Sequence, residues 1–460
     1  MTGMRGVFHG RRYAVVGLGR MGLPAAEALL ALGAAVTVWD DDAAARKAAP
    51  FPQLDPARGL SGFDALVLSP GIPHALPQPH PAALAARAAG IPILSDAELL
   101  FQAVRARGSK ARFVGITGTN GKSTSTALLQ HVLAQAGVAA AAGGNLGTAA
   151  LALPLLGDDG VYVLEMSSYM LERLQTLRFD VAALLNLSAD HLDRHGDMAG
   201  YTAAKRHVFD RQGAGDTAVL GVDDAETAAV AAALAGPRVV TVSGERPADI
   251  WCEAGVLRDA AGPVMAMAGA PALPGAHNAQ NAAAVVAMAR ALGLDDAAIV
   301  AGIASYPGLA HRQELVARID GVSWVNDSKA TNADAAAKAL GCYERILWIA
   351  GGTSKAGGIE PLAPLFPRLA HTLLIGRDAG ILAETLARAG QDHTLCGTLE
   401  AAVDEARRLA PRLGAAVVLL SPACASWDQF TGFEQRGDRF RELVRQGEAS
   451  GQGDALRRAG

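Results

Sequence analysis

The run Gly118-Thr119-Asn120-Gly121-Lys122-Ser123-Thr124 constrains this chain more than any other stretch. It follows the apolar segment Phe113-Val114-Gly115-Ile116 and opens the helical pattern Ala127-Leu128-Leu129-Gln130-His131-Val132-Leu133. Strand, glycine loop and helix in that order form a cradle for phosphate. Glycines let backbone N–H groups crowd onto anionic oxygens, and a helix N-terminus adds positive potential. Lys122 is placed to reach terminal phosphates, and the Ser123 or Thr124 hydroxyl to ligate magnesium. The loop is shorter than the standard phosphate-loop pattern, since Ile116 stands where that pattern has its first glycine. The alternative is a glycine-rich turn with an N-terminal Ser cap and a solvated lysine; the strand before and the helix after favour nucleotide phosphate, so ATP is the expected ligand.

The rest of the chain has the pattern that houses such a loop. Strand-like apolar runs alternate with Ala/Leu-rich helical runs from end to end, the signature of an α/β protein with parallel sheets. A chain of 460 residues is too long for one core, and three regions are predicted. The first, 1–103, has strands at 13–17, 35–40 and 65–69 and a helix over 24–32. The second, 104–308, begins with the phosphate loop and continues with strands at 161–165, 181–187 and 218–221. The third, 309–460, has strands at 323–327, 345–350, 372–375 and 416–421. The Ala-rich stretch 228–235 reads as helix. A net charge of −4 without a long basic run argues against a nucleic-acid partner. No segment reads as transmembrane, and the basic start lacks an apolar core and cleavage site, so a soluble cytoplasmic protein is expected. Cys252, Cys342, Cys396 and Cys424 have neither metal nor redox spacing and read as reduced thiols.

Several other runs end predicted strands. Gly17-Leu18-Gly19-Arg20-Met21-Gly22, with Asp40 closing the next strand, is a dinucleotide-binding fingerprint. A dehydrogenase is therefore one candidate, although backbone amides read charge and hold any diphosphate. Ser69-Pro70-Gly71 follows another strand and could close over the same ligand. Glu165, at the tip of 161–165, is either a magnesium ligand or an exposed strand end. The run 186–195 concentrates Asn, Asp and His, but no thiolates join it to make a zinc pattern. Lys205 lies in a segment predicted to begin a helix at 201, and the residues alone give it no role. Asn278 and Asn281 share a helical face, to read an adenine edge or to cap the helix. His311-Arg312 precedes three further polar runs, 326–332, 351–355 and 421–428, each at a strand C-terminus where open α/β sheets bind ligands. Arg312, Lys329 and Lys355 suggest an anionic ligand, against the ordinary fate of a single cation, which is solvation.

Together these runs resemble the Mur ligase family, ATP-dependent amide-forming enzymes of peptidoglycan synthesis, over nearly the whole chain. The phosphate loop, Asp190-His191, the Lys205 segment and His277-Asn278-x-x-Asn281 are similar to features shared across the family. The runs 326–332, 421–430 and Phe433-Glu434-Gln435-Arg436-Gly437 resemble the branch that adds D-glutamate. The resemblance implies three domains: a Rossmann-like N-terminal domain, a central P-loop-type mononucleotide-binding domain and a Rossmann-like C-terminal domain. It implies a UDP-linked substrate rather than NAD on the first domain, held by Gly17, Leu18, Gly19, Arg20, Met21, Asp40, Ser69, Pro70 and Gly71, with Asn145 and His191. It implies ATP at Gly118 to Thr124, Asn278, Asn281, Arg312 and Asp327. D-glutamate or the reacting phosphate would meet Lys329, Thr331, Lys355, Ser426 and Phe433. One or two magnesium ions would be held by Ser123, Glu165, His191 and Lys205, the last carbamylated, which turns a cation into an oxygen donor. Catalysis would rest on Lys122, Glu165, His191, Lys205, Lys329 and Lys355.

The implied partners are small molecules: UDP-N-acetylmuramoyl-L-alanine, D-glutamate and ATP. A monomer without nucleic acid or membrane insertion is expected. Two departures from the family stand out. Met170 replaces the usual glutamine, and Asp40-Asp41-Asp42 is acidic where relatives often place threonine or arginine, which leaves Asp41 and Asp42 without a role. Other classes remain open on the residues: a dehydrogenase, a related ligase such as a folate polyglutamylating enzyme or another Mur member, and a non-catalytic nucleotide-dependent interaction protein.

Overall fold

Parallel strands buried on both faces read as unbroken apolar runs, and the central strands here follow that rule. Val161–Glu165 and Ile346–Gly351 are buried at every position. The computed structural model describes residues 6–354 and 357–458, with side chains through residue 446. Lys355, expected in the amino-acid site, lies outside the described residues. The chain divides into two compact units, Met1–Tyr306 and Pro307–Gly460.

The first unit contains two sheets. One is all parallel, in the order Ala35–Trp39, Arg12–Val16, Ala65–Leu68, Ile93–Leu94. The other has nine strands. From one edge they run Ala140–Gly144, Val161–Glu165, Arg112–Thr117, Val181–Leu184, Thr217–Gly221 and Arg238–Ser243, all parallel. Ile250–Glu253 joins in parallel, then Val256–Asp259 and Gly262–Ala266 finish the sheet as antiparallel hairpins. Arg112–Thr117 thus has Val161–Glu165 on one side and Val181–Leu184 on the other. The chain leaves this strand toward one edge and later returns past it, which makes a switch point. The crevice beyond the strand tips is where such sheets bind ligands. Helices Lys122–Gln135 and Ala276–Ala291 pack together over this sheet, and the second is buried from Asn278 through Ala289.

The second unit has one six-stranded sheet, in the order Glu314–Ile319, Val322–Asn326, Val417–Leu420, Ile346–Gly351, Leu369–Ile375, His393–Gly397. Only Glu314–Ile319 pairs antiparallel. The α/β architecture is as expected from the alternating runs, but the edges are not. Most of the strands that sequence reading omits are short or lie at or near a sheet edge; Arg238–Ser243, inside the nine-stranded sheet, is neither. Ala140–Gly144 is Ala-Ala-Ala-Gly-Gly, a poor strand former whose pairing partner decides its state.

The helix bearing Lys205 runs Met198–Arg206, not from 201. Asp197 sets the earlier start, because its carboxylate accepts the Gly200 N–H at 2.8 Å. Lys205 therefore sits in the last turn. The four cysteines are free thiols, and among the described residues no helix is long and apolar enough to cross a membrane.

Candidate active site

The phosphate loop is held open by backbone geometry and packed from behind by asparagines. Gly118 and Gly121 adopt φ of 147° and 83°, values that L side chains rarely allow. A Cβ on Gly121 would lie 2.3 Å from Asn281 Oδ1. Asn281 Nδ2 donates to Asn278 Oδ1 at 3.1 Å, and the Ser125 hydroxyl donates to Asn281 Oδ1 at 3.2 Å. The two asparagines do share a face, and that face is buried behind the loop; neither caps its helix. Asn186 clamps the other side. The Asn120 amide donates to its Oδ1 at 2.8 Å, and its Nδ2 donates to Asn120 O at 3.2 Å. Lys122 Nζ donates to Gly118 O and Thr119 O, each at 2.9 Å, so its ammonium rests on the loop rim. No side chain caps the helix that follows, and its N-terminal amides keep their positive end for an anion.

Beside the loop lie two buried ionisable side chains, Glu165 and Lys205, with the half-exposed His191 near them. Glu165 accepts the Asn145 Nδ2–H on Oε1 at 2.7 Å, while its buried Oε2 has no hydrogen-bond partner. An orphaned carboxylate oxygen is costly to bury, and a divalent cation at that oxygen would remove the cost. Lys205 is 2% exposed. Its Nζ donates to Gly118 O at 2.9 Å and lies 4.7 Å from the Tyr201 ring centre. Burial, reinforced by the Lys122 charge, pushes the Lys205 ammonium well below its ordinary range, against the pull of Asp190 and Glu165. A neutral amine is a nucleophile; an ammonium is not. His191 has φ 53°, and burial together with the two lysines holds its pKa down, against the pull of Asp190. A neutral imidazole is the form that binds metal. Among the described residues no three His, Cys, Asp or Glu side chains gather as a ready-made metal site. Glu165 and His191 are two such groups, and the other expected donors are the Ser123 hydroxyl and Lys205.

The glycine loop of the first sheet is shaped by packing. A Cβ on Gly17 would meet Ile72 and Ser69 at 2.7 Å, and one on Gly22 would lie 1.7 Å from Gly17 O. Gly19 meets nothing within 4 Å and leaves its backbone bare. Asp40 accepts the Leu18 amide at 2.6 Å on one oxygen, which shapes the loop, and the Asp42 amide at 2.9 Å on the other, which shapes its own turn. The acidic trio is thereby explained. Asp41 pairs with Trp39 Nε1 and His80, each at 3.1 Å, and Asp42 caps the helix Ala43–Ala48. Met170 is buried in the apolar core, where the family's usual glutamine would need a partner.

Arg173 escaped the sequence reading. It is buried and donates to Leu68 O, Ser69 O and Ile72 O at 2.6, 3.1 and 2.7 Å. Burial lowers its pKa to about 10, which still leaves it charged at neutral pH. It braces the Ser69-Pro70-Gly71 loop from below, and Arg194 donates to Gly71 O at 2.9 Å. Glu172, next in chain, lies 3.5 Å from His195 Nδ1, whose Nε2 meets the Ser168 hydroxyl at 2.9 Å. Nothing in the local sequence marks Arg173, since its acceptors lie about a hundred residues earlier.

The second unit gathers its polar runs at one end of its sheet. Asp327 is buried, accepts the Ser421 hydroxyl at 2.7 Å and the Gln313 amide at 3.1 Å, and has its pKa pushed up to about 7 by burial. Arg312 keeps a buried Nε without a hydrogen-bond partner. Lys329 Nζ lies 5.5 Å from the Phe433 ring centre, and the Thr331 amide donates to Lys329 O at 2.9 Å. Thr353 and Ala425 exchange backbone hydrogen bonds at 2.8 and 2.9 Å, which fixes the 351–354 run beside buried Ser426. Trp427 next to it is 72% exposed.

Residues 116–289 match the Mur ligase middle domain, and residues 311–424 match the Mur ligase, glutamate ligase domain. The UDP-N-acetylmuramoylalanine--D-glutamate ligase of Paramagnetospirillum magneticum is 54% identical over 95% of this chain and 96% of its own length. A protein of the same name from Caulobacter vibrioides is 48% identical over 96% and 97%. Among solved structures, UDP-N-acetylmuramate-alanine ligase MurC from Thermotoga maritima covers 95% of this chain and 99% of its own. It does so with a TM-score of 0.60 at 18% identity, a likeness of fold. Matched along nearly its full length at close to half identity or better, the chain belongs to the Mur ligase family.

Proposed function

We propose that this chain is the ATP-dependent ligase that joins D-glutamate to UDP-N-acetylmuramoyl-L-alanine, in cytoplasmic synthesis of peptidoglycan precursors. The observation that carries the reading is the buried pair beside the phosphate loop: Glu165 with an unpartnered oxygen and Lys205 with a depressed pKa. The proposed domains are 1–103 for the UDP-linked substrate, 104–308 for ATP and 309–460 for the amino acid, and the protein is taken to act as a monomer.

A carboxylate is a poor electrophile and must be activated. The alanyl carboxylate attacks the γ-phosphorus of ATP, the bond to ADP breaks, and an acyl phosphate forms. The free amine of D-glutamate then attacks the acyl carbon, phosphate leaves, and the amine proton passes to solvent. Lys122 and the loop amides of Gly118, Thr119, Asn120, Gly121, Ser123 and Thr124 offset charge on the transferring phosphoryl group. Asn278, Asn281, Arg312 and Asp327 complete the nucleotide set. Lys205, whose amine burial drives toward the neutral form, would add to carbon dioxide and lose a proton to become a carbamate. With Ser123, Glu165 and His191 it would hold magnesium, which supplies positive charge to the phosphoryl oxygens.

Gly17, Leu18, Gly19, Arg20, Met21, Asp40, Ser69, Pro70 and Gly71 form the UDP loop set, with Asn145 and His191 toward the muramoyl end. Asp40 acts there by shaping the loop, since its oxygens already accept two amides. Lys329, Thr331, Lys355, Ser426 and Phe433 hold the amino acid and lower the entropic cost of its attack.

The test is ADP release by the purified chain with magnesium, ATP and UDP-N-acetylmuramoyl-L-alanine against a panel of amino acids. Release with D-glutamate supports the reading. Release with a different amino acid overturns the assigned acceptor, and release with none overturns the ligase assignment.

A further inference from the structure

The run Phe433-Glu434-Gln435-Arg436-Gly437 has so far lent one residue, Phe433, to the proposed amino-acid site. Arg436 is the more unusual member. It is 1% exposed and among the largest fully buried side chains of the chain. No carboxylate accepts from its guanidinium among its hydrogen bonds. Nε donates to the Ser328 hydroxyl at 3.0 Å, and Nη2 donates to Ser328 O at 2.9 Å and Cys424 O at 3.1 Å. Nη1 reaches Gly351 O at 3.4 Å. The Ser328 hydroxyl donates onward to Phe433 O at 2.8 Å. A buried guanidinium with no carboxylate hydrogen-bonded to it is retained only when most of its donors find acceptors, and four of its five N–H groups do so here.

The acceptors lie on segments leaving three neighbouring strands: Val322–Asn326, Val417–Leu420 and Ile346–Gly351. Two of those segments carry assigned amino-acid ligands one to three residues further on: Lys329 and Thr331, and Ser426. Phe433 lies one turn earlier on Arg436's own helix. Gly437 finishes the arrangement, because a Cβ there would sit 2.1 Å from His311 Nδ1 and its carbonyl accepts Asn326 Nδ2–H at 3.1 Å.

We propose that Arg436 is a positioning residue that sets the mutual spacing of the groups that hold the incoming amino acid. The inference rests on the proposal that this unit presents D-glutamate. A planar fork of fixed donors can satisfy three backbone segments at once; a lysine ammonium is a single point that cannot. Arg436 touches no substrate and acts through the loops it ties.

The experiment is steady-state kinetics of full-length Arg436→Lys, varying each of the three substrates in turn. The KM for D-glutamate should rise about tenfold or more, the equivalent of one charge-assisted hydrogen bond. The KM for the UDP-linked substrate should stay within about threefold, since its loops in the first unit are untouched. An unchanged D-glutamate KM overturns the inference, as does an equal rise for all three substrates with a lowered unfolding midpoint. A wild type that releases no ADP overturns the ligase reading and this inference with it, whereas an active wild type isolates Arg436. Ser328→Ala removes only the hydroxyl relay and covers the case in which Arg436→Lys fails to fold. Its D-glutamate KM should rise about threefold, and an unchanged value overturns the inference.

Discussion

The phosphate loop of the first unit and the strand-end loops of the second are both built to bind, yet they are assembled in opposite ways. The first is local. Seven consecutive residues supply the glycine angles, the lysine and the hydroxyls, and the helix N-terminus follows at once. The second is dispersed. Its assigned groups stand on segments a hundred residues apart and are drawn together by Arg436 and by the Thr353–Ala425 bridge. Each unit also buries an arginine under its loops. Arg173 donates to three carbonyls of one loop, while Arg436 spans three segments. A local site needs side chains to neutralise charge; a dispersed site needs side chains to hold its shape.

That contrast can be broken by mutation. The largest effect should come from Lys205, whose role depends on chemistry rather than on shape. Lys205→Arg cannot form a carbamate, and kcat should fall by at least about a hundredfold. Labelled bicarbonate should give a carbamate carbon signal in the wild type and none in the variant. A wild type without that signal, or an active variant, would sink the proposal for Lys205.

Arg173→Met should come next. The Ser69-Pro70-Gly71 loop loses its brace, and the KM for UDP-N-acetylmuramoyl-L-alanine should rise roughly tenfold, the worth of a hydrogen bond to a charged group. If the change fell on D-glutamate instead, the two arginines would not be separate devices.

The smallest effect is one of pH. Asp327 has a folded pKa pushed up to about 7 by burial, above its unfolded value. Between the two values the folded state holds one more proton than the unfolded. Stability from this group is therefore complete at low pH and is lost as pH rises toward 7. Asp327→Asn removes the titration. Wild-type stability relative to the variant should drop by up to about 1.4 kcal/mol per pH unit across that window. Parallel stability curves from denaturant titration would show that Asp327 stays ionised in the fold.

Much of this was legible in the residues. The α/β class followed from alternating apolar and helical runs, because period and composition are properties of neighbouring residues. The phosphate loop was legible for the same reason. The outer strands were not: Ala140–Gly144 becomes a strand through its pairing with Val161–Glu165, a contact its own residues do not announce. Asp41 and Asp42 looked like departures until Trp39, His80 and a helix start gave them partners.

What the sequence determined by itself is the strand–glycine loop–helix unit at 112–135 and the fold class, since both rest on short-range pattern and backbone freedom. What only the tertiary structure decided is the state of the buried charges. Lys205 is an ordinary cation until the surrounding fold takes its water away. Arg173 and Arg436 are ordinary surface residues until distant carbonyls close over them. Desolvation and long-range hydrogen bonding depend on which segments meet, and no stretch of neighbouring residues encodes that alone.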